Sequence, residues 1–292
     1  MAKKGLFIGL VTLDFAYLVT DYPSQNQKVV ANDYTATAGG PATNAAVTFS
    51  YLGNQSNLLG VIGCHPITQL IKADLGEFHI NLIDLDPTRP ESPPVSSIII
   101  TQSTADRAVI SINATKSQSR QNINSDILKA IDIILIDGHQ MAASKEIAQI
   151  AKSNNIPIVV DAGSWKAGFE EILPLVDYTI CSGNFYPPNC HNSKEVFTYL
   201  SAIGIPHIAI TCGEKPIQYL SGGISGIIEV PQINPVDTLG AGDIFHGAFC
   251  HYILQANFIE ALAAAAKVAS HSCQFFGTRR WIENRPIAKI TL

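Results

Sequence analysis

Short, nearly unbroken apolar runs alternate with helix-length segments through much of this chain, and that alternation narrows it to one kind of architecture. Gly5-Leu-Phe-Ile-Gly-Leu-Val-Thr12 is the first run, and Ile131–Ile136, Ile156–Asp161, Tyr178–Cys181 and Pro206–Thr211 follow. A strand with one wet face alternates apolar and polar residues, whereas a run without that alternation is buried on both faces. Between the later runs lie Ala143–Ser153 and Phe169–Leu175, which read as helices. Parallel neighbours need crossover connections, nearly all right-handed. The reading is therefore an α/β fold, a doubly wound and mainly parallel sheet flanked by helices.

Two segments stand apart from this pattern. Lys28–Ala38 is polar and partly alternating, the character of a short exposed strand. Pro93–Thr101 and Arg107–Asn113 alternate around a Ser/Thr/Ala/Asp turn and read as a β-hairpin outside the parallel core. No linker, repeat or composition shift divides the chain. One domain over residues 1–292, with a discontinuous β lid from about 12–37 and 94–114, is the economical organisation.

The chain is 47% hydrophobic and 15% charged, enough to bury a large core. Its net charge of −5 and lack of any basic run argue against a nucleic-acid partner. Lys3-Lys4 ahead of an apolar run imitates a signal peptide, but Asp14 ends the run and no small-residue cleavage site follows. Without an apolar stretch of about 18 residues, a soluble cytoplasmic protein is expected, with its six cysteines reduced and mostly packed in the core.

The chemistry concentrates near the C-terminus, at Asp237-Thr-Leu-Gly-Ala-Gly-Asp243 followed by an apolar helical run to Leu254. A glycine turn feeding a helix offers unpaired N–H groups and a partial positive charge, which suit a phosphate. Asp243 then lies in the first helical turn. Its residue type fits either a helix cap or a base that deprotonates a hydroxyl attacking that phosphate. A dinucleotide-binding motif is excluded by context, since no βαβ unit follows Gly240-x-Gly242, and no Walker-type phosphate loop occurs. Near the N-terminus, Asp14 follows the first apolar run. Ala38-Gly39-Gly40-Pro41-Ala42-Thr43-Asn44 is a glycine turn into an Ala-rich helix closed by Gly53. Asn44 there suits either a sugar hydroxyl or the helix start. Asp137 and Asp161 each follow a strand, on the side where open α/β sheets bind ligands. His139 reads as a structural histidine.

Asp237-Thr-x-Gly-Ala-Gly-Asp243-x-x-x-Gly247-Ala248 resembles the C-terminal signature of the PfkB (ribokinase-like) carbohydrate kinases, and the Gly39–Asn44 segment resembles their N-terminal one. The resemblance covers nearly the whole length. It implies a ribokinase-like fold with a β lid and transfer of the γ-phosphate of ATP to a sugar hydroxyl. Asp243 becomes the catalytic base, Gly240, Ala241 and Gly242 the anion hole, and Asp14, Gly39, Gly40 and Asn44 substrate contacts. Arg107, after the hairpin turn, becomes a candidate for sugar or phosphate, beside its alternative as a solvated arginine. Asn184, Thr211, Gly213, Cys273 and Gly277 become nucleotide contacts, Cys273 from an Ala-rich helix read as Ala261–Phe276 and Gly277 from the position that ends it. ATP and Mg²⁺ are the implied cofactors, a monovalent cation is an optional third, and a homodimer through the lid is left open.

Two signatures are degraded. Pro187 replaces the acid of the family's Asn-x-x-Glu, so no magnesium ligand is assigned, and Pro216 ends the Thr211-Cys-Gly213 turn where the family has Gly. The Pro94-Val-Ser-Ser-Ile segment with Asp106-Arg107 is most similar to the ketohexokinase branch, yet Pro41 stands where ketohexokinases carry Asn. The acceptor is thus a ketohexose such as fructose, or ribose, with a nucleoside kinase or a catalytically lapsed sugar or nucleotide sensor as alternatives.

Overall fold

The apolar runs become strands whose successive side chains enter two separate cores. In the computed structural model, which describes residues 2–112, 119 and 123–284, Phe7 faces one core and Leu6 and Ile8 the other. Ile133 and Leu135 likewise oppose Ile134 and Ile136. This is the period-2 geometry of a strand covered on both faces, and it explains why these runs have no polar alternation.

In chain order the elements are β1 (Lys4–Ile8), β2 (Thr12–Val19), β3 (Asp33–Gly39), α1 (Pro41–Tyr51), β4 (Gln55–Gly60), α2 (Thr68–Glu77), β5 (Asn81–Asp84), β6 (Val95–Thr101) and β7 (Arg107–Ser111). They continue with β8 (Ile133–Ile136), α3 (Met141–Ser153), β9 (Ile158–Ala162), α4 (Phe169–Ile172), β10 (Tyr178–Ser182), α5 (Ser193–Ile203) and β11 (His207–Cys212). The chain then forms β12 (Lys215–Ser221), β13 (Ile224–Ile228), α6 (Ala241–Ile253), α7 (Phe258–Ser272) and α8 (Arg280–Asn284). A nine-stranded sheet runs β13-β12-β11-β10-β9-β8-β1-β4-β5, and a four-stranded sheet runs β3-β2-β6-β7. The large sheet is parallel from β5 to β11, and β12 and β13 add an antiparallel edge. Residues of α1, α6 and α7 fill one face and residues of α3, α4 and α5 the other. Among the described residues no helix is long and apolar enough to cross a membrane.

Gly5–Thr12 is not the single strand its composition suggests. β1 ends at Ile8, and β2 starts at Thr12 in the other sheet. Leu13 is as buried as Leu6, so composition shows no break, but the backbone changes sheets between them. Asp14 therefore does not cap a core strand: it lies within β2, opposite Thr37 on β3 and Ser96 on β6. The expected hairpin is present as β6 and β7, paired antiparallel outside the large sheet. Residues 113 and 114 of the expected lid lie outside the described residues. The Ala-rich helix also differs, starting at Phe258 behind an Asn257–Glu260 capping box and ending at Ser272.

One close helix crossing sets up the site. A Cβ on Gly247 would lie 2.3 Å from the Ala45 carbonyl oxygen and 2.7 Å from Thr48 Cβ, so α6 and α1 approach through this glycine. Asp243 is one turn before Gly247, and Asn44 one turn before Thr48. The crossing thus brings the N-termini of both helices together.

Candidate functional site

On the lid side, Asp14 accepts a hydrogen bond from Thr12 Oγ1 at 2.7 Å. A Cβ on Gly39 would fall 1.9 Å from Asp14 Oδ2, so glycine here makes room for the carboxylate. Burial raises the Asp14 pKa, with bonds from Thr12 and Ser96 and the charge of Arg279 opposing it. Gly40 begins α1 at φ +103°, where a Cβ would also meet the Leu10 carbonyl oxygen at 2.3 Å.

Asp137, read from sequence as a ligand-facing acid, is turned inward. Its carboxylate accepts the N–H groups of Leu10 at 2.9 Å, Ala42 at 3.1 Å and His139 at 2.9 Å. It caps α1, whose own N-cap Gly40 has no side chain to do so. Burial pushes its pKa up, but His139 and the backbone donors outweigh burial and hold it below the usual carboxylate range. His139 Nδ1 lies 3.1 Å from Asp137, in keeping with a structural histidine. Asp161 is also buried, 3.4 Å from His246 Nδ1, and burial raises its pKa.

Gly240 takes φ +69° and starts α6, whose first N–H groups have no partner within the helix. A Cβ on Gly242 would meet nothing within 4 Å. The protein's own packing therefore does not require that glycine, and the space before the turn stays open to an anion. Asp243 follows, accepting from Asn44 Nδ2 at 2.8 Å and keeping a partial opening to solvent. Burial, then the nearby Asp161 charge, raise its pKa to about 7 against the Asn44 bond and His246. A carboxylate with that affinity can take a proton near neutral pH.

Beyond the turn lies an apolar cavity of about 360 Å³. Thr211, Gly213, Ala241, Gly242 and Cys273 line it with Phe245, Ala266 and Ala269. It is large enough and apolar enough for an aromatic base. Two expected nucleotide contacts are not on its wall. Asn184 sits in the exposed turn after β10, its N–H on Ser182 Oγ at 3.2 Å. Gly277, at φ +75°, instead donates its N–H to Asp237 Oδ2 at 2.8 Å, and Asp237 Oδ1 accepts from Leu239 N–H at 2.8 Å. That carboxylate pins the C-terminal segment to the signature turn. Arg107 is not merely solvated: Nη1 reaches Thr238 Oγ1 at 2.6 Å, linking lid to signature.

Asn44 is more enclosed than its sequence reading implies, with Nδ2 on Asp243 and Oδ1 accepting from Arg279 Nη1 at 2.8 Å. Arg279 and Thr278 had no signal in the sequence, because arginine is usually exposed and nothing in Gly-Thr-Arg-Arg marks a buried one. Among the described residues no cluster of three or more His, Cys, Asp or Glu could hold a metal ion.

The whole described fold and this site fall within one family match. A model described as pfkB family carbohydrate kinase covers residues 2–285. The ribokinase of Lactococcus lactis is 25% identical over 287 residues, covering 94% of this chain and 92% of that protein. A crystal structure from Agrobacterium tumefaciens assigned as a ribokinase superposes with TM-score 0.84 at 22% identity, covering 98% of this chain and 100% of the other. The Arabidopsis thaliana ribokinase complexed with ribose and ATP superposes with TM-score 0.76 at 17% identity, covering 97% and 99%. The chain belongs to the pfkB family of carbohydrate kinases. It is a phosphotransferase acting on a sugar hydroxyl, with the ribokinase-like fold.

The open space before Gly242 gives a clean test of the anion-hole assignment. Gly242→Ala leaves thermal unfolding unchanged or raises it slightly, since alanine favours a helix by roughly 0.5–1 kcal/mol over glycine. The same methyl group obstructs the phosphate and lowers kcat/KM for ATP by about tenfold or more, as misplacement at a reacting centre does. Equal losses in stability and rate would refute the assignment.

Proposed function

We propose that this protein transfers the γ-phosphate of ATP to a hydroxyl of a pentose of the ribose class. The sugar lies between Asp14, the Gly39–Gly40 turn and Asn44, and the nucleotide base lies in the apolar cavity. The observation that carries this reading is Asp243, a carboxylate of raised pKa at a helix N-terminus between the two. The sugar hydroxyl gives its proton to Asp243 as its oxygen attacks, while the N–H groups of the 240–242 turn meet charge growing on the phosphoryl oxygens. Arg107, tied to Thr238, would hold the lid down and keep water from competing. Mg²⁺ would neutralise phosphate charge when bound, arriving on the nucleotide phosphates with several of its own waters. A monovalent cation, and dimerisation through the exposed lid strand β7 in a cytoplasmic protein, belong to the same proposal.

The ribokinase relatives favour ribose over the ketohexose that the hairpin resemblance suggested. ADP release with ATP–Mg²⁺, with and without K⁺, across ribose, deoxyribose, fructose and nucleosides tests the acceptor. No turnover with any sugar, alongside thermal stabilisation by ATP and a sugar, would support a sensor instead. In the active enzyme kcat falls as pH drops through about 7, because protonated Asp243 cannot accept the hydroxyl proton. A kcat that stays flat from pH 8 down to 5 would sink the assignment of the base.

A further inference from the structure

A buried cation lies behind the base, and the phosphoryl transfer described above makes no use of it. Arg279 is 5% exposed. Its Nη1 donates to Asn44 Oδ1 at 2.8 Å and Thr278 Oγ1 at 3.1 Å. Its Nη2 donates to the Ala38 carbonyl oxygen at 2.7 Å and to Asp74 Oδ2 at 3.1 Å. Asp74 in turn accepts the Ala38 N–H at 3.1 Å. Buried ion pairs are often no more stabilising than apolar residues of the same volume, so stability alone does not account for this one.

Its geometry does. Arginine has five donors and no acceptor, so it can meet only the oxygen end of the Asn44 amide. The nitrogen end is thereby turned to Asp243, at 2.8 Å. A flipped amide would oppose donor to donor at Arg279 and acceptor to carboxylate at Asp243. Asn44 is 3% exposed, so water cannot relieve either clash. The other arm of the guanidinium holds Ala38, next to the Gly39 that accommodates the Asp14 carboxylate. One side chain therefore spans the proposed base and the sugar-side strand. Thr278 stays close to the anion-hole turn, since a Cβ on Gly240 would lie 2.8 Å from its Cγ2.

We propose that Arg279 is a positioning residue for the kinase reaction: it locks the Asn44 amide so that Asp243 keeps a hydrogen-bond donor and a fixed aim at the sugar hydroxyl. This rests on the reading of Asp243 as the base. The titratable groups around Asp243 are Asp161 from β9, Asp137 beyond β8, and His246 from α6 itself; Asn44 of α1 supplies the neutral donor. Of these, Asn44 and His246 favour the ionised base, and burial and the two aspartates oppose it. Losing the Asn44 donor lets Asp243 hold its proton to higher pH.

The test is kcat against pH at saturating ATP–Mg²⁺ and sugar for the wild type, Arg279→Met, Arg279→Lys, Asn44→Ala, the Arg279→Met/Asn44→Ala pair and Asp243→Asn. Arg279→Met and Asn44→Ala each move the acid limb upward by about half a pH unit or more, as loss of a bond to the charged form requires. The double variant moves no further than Asn44→Ala, because Arg279 acts through Asn44. Arg279→Lys, with its charge kept but not its fork, gives a smaller shift in the same direction. A merely structural arginine would lower the amplitude and leave the midpoint in place. An unmoved midpoint in Arg279→Met, or additive shifts in the double variant, overturns the proposal. If Arg279→Met does not fold, an unmoved midpoint in Arg279→Lys does the same. Turnover retained in Asp243→Asn overturns the base assignment and this proposal together; turnover lost there with unmoved Arg279 profiles overturns this proposal alone.

Discussion

Asp243→Asn lowers kcat by about a thousandfold, the middle of the range that a general base contributes. The substitution is isosteric, so the anion hole, the sugar turn and the cavity are untouched. KM for ATP and for the sugar therefore stay within a few-fold of the wild type, the pattern expected when an interaction made only in the transition state is removed. Stability does not fall, because the carboxylate is buried beside Asp161 and its ionised form is disfavoured there. Steady-state kinetics, sugar and nucleotide binding, and thermal unfolding of the one variant separate these effects. Turnover within tenfold of the wild type would show that another group takes the proton.

Asp137→Ala should be the most damaging single change to the fold. It strands the N–H groups of Leu10, Ala42 and His139 in a site where the Asp137 side chain has no solvent exposure. Unpaired buried donors cost roughly 1–3 kcal/mol each, and loss of one partner of a buried charge network costs on the order of 3–5 kcal/mol. At roughly 2–4 °C per kcal/mol for a chain of this size, the melting temperature falls by about 10 °C or more. The pH dependence has a definite sign. The folded pKa of Asp137 is below its unfolded value, so its stabilisation is complete above the unfolded pKa and is lost as pH falls through the folded one. The wild type loses that contribution below about pH 4, and the variant, lacking it, shows a shallower acid decline. A variant as stable as the wild type at pH 7 would mean that water or His139 replaces the carboxylate.

Much of the fold was legible because burial on both faces leaves its mark in composition. The runs at β8 and β11 are apolar at every central position, and those at β9 and β10 nearly so, as a sheet covered on both faces requires. The glycine turn at 240–242 was legible for a related reason, since backbone conformation there restricts residue type. Gly240 at φ +69° and Gly40 at φ +103° are positions that other side chains rarely adopt. By contrast, the break between β1 and β2 was hidden, because Ile8 and Leu13 are equally buried although they belong to different sheets.

The sequence by itself determined the layered α/β class, the phosphate-suited turn and the acid that follows it. Each of these is local, set by side-chain period or by backbone torsion. Only the tertiary structure decided which groups each of the four acids meets. Asp14, Asp137, Asp161 and Asp243 look alike as residues near strand or helix ends. Their surroundings separate through partners that the fold supplies, most of them distant in the chain: Gly39 beside the nearby Thr12 for Asp14, the N–H groups of Leu10 and Ala42 beside the nearby His139 for Asp137, His246 for Asp161, and Asn44 for Asp243. Arg279 shows the same limit most plainly, since its bonds to Ala38, Asn44 and Asp74 join positions more than 200 residues away in the chain. A carboxylate's proton affinity and a guanidinium's burial depend on what the fold brings within a few ångströms, and that is a property of the packed chain rather than of its local order.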